Sequence, residues 1–162
     1  MTATAEGDLT VFVIGMRVNR LAAPRAWWPT FRAMRPMLRE LSRDPDSGLL
    51  GFQLLLGLPR VVCTVQYWES PEKLIAYASD PAGHHRPAWA AFNRRARDSR
   101  GAVGIWHETY VVRAGSYETV YVDMPEFGLG RATGTAPVGR RGERAAQRLA
   151  RPGSADPRAA RG

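Results

Sequence analysis

The chain has 162 residues, of which 44% are hydrophobic and 23% charged, enough for one globular domain with a real core. Its best apolar run, Val11 to Met16, has the length of a strand and excludes a helical membrane span. The opening MTATAEGD lacks the basic and apolar regions of a signal peptide.

The single cysteine, Cys63, excludes a structural disulfide within the chain, so a reducing, cytoplasmic setting is expected. The net charge of +8 is concentrated in the tail: from Arg131 onward eight arginines face Glu143 and Asp156, leaving +2 on residues 1–130. The domain is therefore not expected to take nucleic acid as a partner, and no membrane partner is expected.

Residues 1–8 read as a flexible N-terminus. Leu9 to Asn19 is β-rich, with Phe12, Ile14, Met16 and Val18 on one face and Val13, Gly15, Arg17 and Asn19 on the other. Pro24 opens a helical pattern in which Trp27, Trp28, Phe31, Met34, Leu38 and Leu41 recur at three- and four-residue steps. Pro36 within it predicts a kink or split, at about 3 kcal/mol unless packing compensates. Asp44 to Gly48 is a stop signal. Leu49 to Leu56 and Val61 to Trp68 then form a hairpin pattern around Gly57-Leu58-Pro59-Arg60.

Ser70-Pro71-Glu72 predicts the cap and first turn of a second helix, which ends near Ser79-Asp80-Pro81. A third helical pattern runs from about His84 to Gly101. Ala102 to Val112 reads as a strand and Ser116 to Met124 as another, whereas Phe127-Gly128-Leu129-Gly130 reads as loop. Residues 131–162 hold few large apolar side chains and read as a disordered Arg/Gly/Pro/Ala-rich tail.

This order predicts an α+β ferredoxin-like βαββαβ domain over residues 9–130, an antiparallel sheet with helices on one face. A second copy covering the open face would complete a dimeric α/β barrel.

Two histidines stand out. His85 shares an apolar helical stripe with Trp89, Phe92 and Ala96, while His84 lies one step round toward solvent. His107 alternates with Val103, Ile105, Thr109 and Val111, the face expected to meet the helices. His85 and His107 are predicted to converge between helices and sheet, with Tyr67 reaching the same region. An imidazole there could shuttle protons or ligate haem iron. A core histidine with satisfied hydrogen bonds is the competing reading of each. Arg17, Asn19, Gln66, Trp68 and Glu108 read as a polar strand face suited to an interface. There is no Walker loop, dinucleotide-binding glycine motif, zinc spacing or Gly-x-Ser-x-Gly elbow.

The stretches VFVIGMRVNR, AWWPTFRAMRPMLREL, DSGLLGFQLLLG, TVQYWES, HRPAWAAFNRR, GIWHETYVV and YETVYVDMP resemble a monooxygenase-like family of the dimeric α/β-barrel superfamily, over about residues 9 to 130. The resemblance implies a homodimer related to antibiotic-biosynthesis monooxygenases, which oxidise aromatic polyketides without metal or cofactor. It is more distant to aldoxime dehydratases and haem-degrading monooxygenases. Among haem degraders, Trp68 resembles a tryptophan after a central strand, and His84 or His85 the helix histidine. The strand asparagine has no counterpart, since Gly15, Met16 and Arg17 fill its neighbourhood.

The sequence therefore predicts a monooxygenase-type oxidoreductase for a hydrophobic small molecule. His85 and His107 would be catalytic, and Trp28, Tyr67, Trp68 and Trp89 would bind substrate. Either no cofactor is required or haem b is held by His85. A haem enzyme and a non-catalytic ligand-binding dimer are the alternatives.

Overall fold

The structure, a computed structural model, describes residues 1–41, 44–80, 90, 101–140 and 144–149. Its main sheet is built from β2 (Leu9–Val18), β3 (Leu49–Gly57), β4 (Val61–Trp68) and β5 (Val103–Val112), and β1 (Thr2–Ala3) lies outside it. The strand order is β3-β4-β2-β5, with every neighbouring pair antiparallel. Helix α1 (Pro24–Leu41) joins β2 to β3, and α2 (Pro71–Ser79) follows β4. The first strand thus lies in the middle, between the third and the last, which is the ferredoxin-like arrangement of βαββαβ.

Local chemistry sets these boundaries. Pro71 opens α2, and the Ser70 hydroxyl accepts a hydrogen bond from the Lys73 amide, capping one of the free donors of the first turn. Asp44 plays the same part for a short 3-10 turn at Pro45–Ser47, which ends at Gly48 with φ of 78°, a conformation cheap only for glycine. Helix α1 runs through Pro36 as one element, without the predicted split. Of the third predicted helix, Ala90 is described and helical, and residues 84–89 and 91–100 lie outside the described residues.

Register assigns the faces, because residues opposite one another in antiparallel strands point the same way. Ile14 pairs with both Thr64 and His107, and Met16 with both Val62 and Ile105. These belong to the helix-covered face. There Trp27 and Phe31 of α1 pack on Met16, Val18 and Val103, while Leu74 and Tyr77 of α2 pack on Trp68. The opposite face carries Val11 and Val13, with Val65 and Tyr67 of β4 and Glu108 and Tyr110 of β5.

This register reverses the predicted orientation of β4. Thr64, Gln66 and Trp68 point under the helices and are buried, whereas Tyr67 points away from them. The alternation was ambiguous because Val61, Cys63 and Val65 are as apolar as a core face. The polar groups of the buried row satisfy one another instead: Trp68 Nε1 donates to Gln66 Oε1 at 3.0 Å, and Gln66 Nε2 to Thr64 Oγ1 at 3.3 Å.

The first residues meet residues 128–136 over the second face. Strand β1 pairs with β6 (Thr135–Ala136), which follows helix α3 (Gly128–Thr133). The Ala3 amide donates to Thr119 Oγ1 at 2.7 Å, and the Met1 ammonium to the Tyr121 carbonyl at 2.9 Å. The Thr4 hydroxyl donates to the Thr133 carbonyl. Ala3, Ala5, Leu9 and Leu129 form a buried cluster ringed by Leu50, Tyr67, Tyr117 and Tyr121.

Residues 1–8 and 131–136, expected outside the domain, are therefore held against each other. Among the later residues, helix α4 (Ala145–Arg148) is tethered by an Arg148–Glu118 ion pair of 2.8 Å. Residues 151–162 lie outside the described residues. The strand expected over Ser116 to Met124 joins no ladder; burial alternates from Ser116 to Val122, but its polar contacts run to the N-terminal residues, to Gly130 and to Arg148. The Gly-rich segment expected as loop is helix α3, and two tyrosine hydroxyls cap it: Tyr121 accepts from the Gly130 amide at 2.9 Å, and Tyr67 bonds the Leu129 backbone.

Candidate functional site

On the helix-covered face, α1 packs over one end of the strands and α2 over the other. Between the two lie Phe12, Ile14, Thr64 and His107, brought into adjacent positions by the β4-β2-β5 register. Histidine reaches this place because β5 alternates strictly from Val103 through Ile105 to His107. Its ring stands against Phe12, with centroids 5.7 Å apart and planes tilted by 42°. Yet His107 is exposed, whereas Val103 on the same face is buried. An accessible imidazole set among apolar side chains is placed to exchange a proton with a bound molecule.

The other expected residues are distributed unevenly. Trp68 lies at the α2 end of this face but is fully buried, its ring 5.8 Å from that of Tyr77. It forms core rather than an accessible wall. Trp28 on α1 is 48% exposed and stacks on Phe31 at 5.6 Å. Tyr67 is on the opposite face, under α3, so the sheet separates it from His107. His84, His85 and Trp89 lie outside the described residues, and with them the expected convergence of His85 with His107. The expected haem ligand, His85, is among these residues, and His107 packs its ring at a tilt against Phe12. Among the described residues, no group of three or more His, Cys, Asp or Glu side chains is placed to hold a metal ion.

Sequence reasoning missed two features of this region. The first is the buried polar row Thr64–Gln66–Trp68, whose signal was the pair of polar residues at alternate positions of an otherwise apolar strand. The second is on the opposite face, where the Trp106 indole lies over Gly15. A β-carbon at Gly15 would come 2.2 Å from the edge of that ring, so glycine there makes room for the tryptophan.

Burial pushes the Tyr67 phenol up from its ordinary value, the neighbouring Tyr121 adds to this, and the Leu129 backbone hydrogen bond opposes it. Tyr67 is thus a structural phenol at the cap of α3.

Fold and site together define a small α+β ferredoxin-like protein with an imidazole on the helix-facing side of its sheet. The chain belongs to the monooxygenase af470-like family, which it matches over residues 9–129, as the resemblance in its sequence implied. It is 28% identical over 133 residues to monooxygenase af470 of Aspergillus fumigatus, a match covering 78% of this chain and 46% of that protein. The chain therefore spans about half the length of that curated relative.

Among solved structures it is similar to SnoaB, a cofactor-independent oxygenase from Streptomyces nogalater. There the identity is 18%, the coverage 65% of this chain and 94% of that one, and the TM-score 0.39. It is also similar to a dimeric ferredoxin-like protein of unknown function from Jannaschia sp. CCS1, at 17% identity, 61% and 97% coverage and a TM-score of 0.42.

Proposed function

We propose that the protein is a monooxygenase-type oxidoreductase that binds a hydrophobic small molecule between α1 and α2, against the helix-facing side of the sheet. The observation that carries this reading is the exposed His107 imidazole standing on Phe12 in an apolar setting. Family membership supports the reaction class.

The chemistry needs a substrate that becomes electron-rich on losing a proton, such as a methylene flanked by aromatic or carbonyl groups. His107 accepts that proton, and the carbanion reduces O2. The methylene becomes a carbonyl and the second oxygen atom leaves as water, so the substrate itself supplies all the electrons. Phe12 and Ile14 would contact its apolar faces, and Trp28 the outer rim.

A homodimer accompanies this reading. The second face of the sheet presents Val13, Cys63 and Val65, all partly accessible, and Leu55 at 38% exposure. An apolar sheet face of this kind is normally covered. Val13→Arg is expected to shift the protein toward monomer in size-exclusion chromatography with light scattering.

The decisive assay is oxygen uptake with a reduced polycyclic phenol. His107→Ala and His107→Gln are each expected to lower kcat about 10²–10⁴-fold while leaving the unfolding midpoint in place. Full turnover in both variants would move the chemistry elsewhere. An absorbance spectrum with added haemin separates the cofactor-free reaction from a haem enzyme, since only the latter acquires a Soret band. Tight binding of the phenol without oxygen uptake in the parent protein would indicate a non-catalytic ligand-binding dimer.

A further inference from the structure

The two ends of the main sheet differ sharply in charge. The chain enters β2 and β3 and leaves β4 and β5 at one end, where Glu6, Asp8, Asp44, Asp46, Glu69 and Glu72 all lie exposed, against Arg39, Lys73 and Arg113. At the opposite end are the β2–α1 segment, the β3–β4 turn and the residues entering β5. These carry Arg17, Arg20, Arg25 and Arg60 and, among the described residues, no acid. The N-terminus of α1 opens at this same end with no acidic residue in its first turn, which leaves its positive dipole end uncompensated.

The same end is also apolar. Leu58 at the tip of the turn is 83% exposed, Leu56 57% and Leu21 41%. Hydrogen bonds join the three segments into one surface. The Val18 amide donates to the Arg60 carbonyl at 2.8 Å, and the Arg60 guanidinium donates to the Asn19 carbonyl at 2.8 Å. The Asn19 amide in turn donates to the Ala102 carbonyl at 2.9 Å. The leucines are thus presented on a braced base rather than on separate loops.

We infer that this end docks on an anionic lipid surface, with Leu21, Leu56 and Leu58 entering the headgroup boundary and the exposed Arg17 and Arg25 meeting lipid phosphates. Leucines projecting from a rim of arginines match the two parts of such an interface, apolar depth and surface negative charge. The acidic far end turns away from the membrane under the same field. No membrane span is involved, and no helix described is long and apolar enough to supply one.

The test is flotation of the full-length protein with phosphatidylcholine vesicles, with and without phosphatidylserine, at physiological salt. Binding to the phosphatidylserine vesicles alone is expected. Leu58→Ser should weaken it about tenfold, and Arg17→Gln and Arg25→Gln about fivefold each. Leu58 and both arginines are exposed, and far-UV circular dichroism of each variant checks that the fold is kept. The basic tail provides the control, since Arg151→Gln, Arg158→Gln and Arg161→Gln combined should leave flotation unchanged.

Three results would overturn the inference: no flotation of the parent protein, flotation lost with the tail substitutions but not with Leu58→Ser, or a change of oligomeric state in Leu58→Ser without loss of lipid binding. Capture by heparin or polyglutamate-type polyanions that survives Leu58→Ser, with no vesicle binding, would assign the arginines to an acidic macromolecule instead.

Discussion

Replacing Trp68 by Phe isolates the contribution of the buried polar row. The indole is fully buried between the sheet and α2, and its Nε1 donates to Gln66 Oε1 at 3.0 Å. A phenyl ring leaves part of that volume unfilled, at about 1–2 kcal/mol. It also leaves the Gln66 carbonyl oxygen without this donor in a dry environment, at about 1–3 kcal/mol. The expected loss is therefore about 2–5 kcal/mol of unfolding free energy, a large part of the stability of a domain this size.

Gln66→Leu alone strands the indole N–H instead, whereas the double variant strands neither group. Urea denaturation of the four proteins closes a double-mutant cycle, and a coupling of about 1–3 kcal/mol is expected. A single-variant loss below about 1 kcal/mol, or additive effects in the double variant, would refute the account of Trp68 as a hydrogen-bonded core residue.

Two other expectations concern the second face. Because burial raises the Tyr67 phenol in the folded state, its neutral form favours folding. That contribution is complete below the ordinary tyrosine value near about 10 and is lost as pH rises through the raised one. Phenolate absorbance should therefore show one tyrosine fewer ionising late in Tyr67→Phe, with a shallower alkaline loss of stability. Thr119→Val removes the oxygen that accepts from the Ala3 amide at 2.7 Å and should cost about 1–2 kcal/mol. Hydrogen exchange would register it as faster exchange confined to the first residues and their partners, and unchanged exchange there would argue against the clasp.

The sheet was legible in the sequence because β2 and β5 have one strongly apolar face each and the β3–β4 turn carries glycine and proline. Helices α1 and α2 announced themselves by Pro24, Pro71 and the Ser70 cap. β4 was not legible in orientation: Val61, Cys63 and Val65 make the more apolar face, and Gln66 and Thr64 look like surface residues until Trp68 is seen to bond Gln66, and Gln66 Thr64. Helix α3 was hidden because glycines at 128 and 130 are poor helix formers. Its support is long-range, from the Tyr67 and Tyr121 hydroxyls and from Gly51, where a β-carbon would approach Ala132 to 2.9 Å.

For the site, parity along β5 placed His107 correctly on the helix-facing side. The same reasoning put Tyr67 beside it only because β4 had been turned over. Exposure of His107 has no signature in the sequence, since the alternation that places it sets its face and not what covers it.

The pairing of Thr2–Ala3 with Thr135–Ala136 bears on how the chain matures during synthesis. The four strands of the main sheet are complete once residue 112 has left the ribosome. The first strand must wait for a further stretch of translation before its partner exists, and closing so long a loop comes late and slowly. Until then Ala3, Ala5 and Leu9 stay uncovered on the nascent protein. A stalled or shortened chain would therefore carry a finished sheet with a sticky corner, a ready substrate for chaperones.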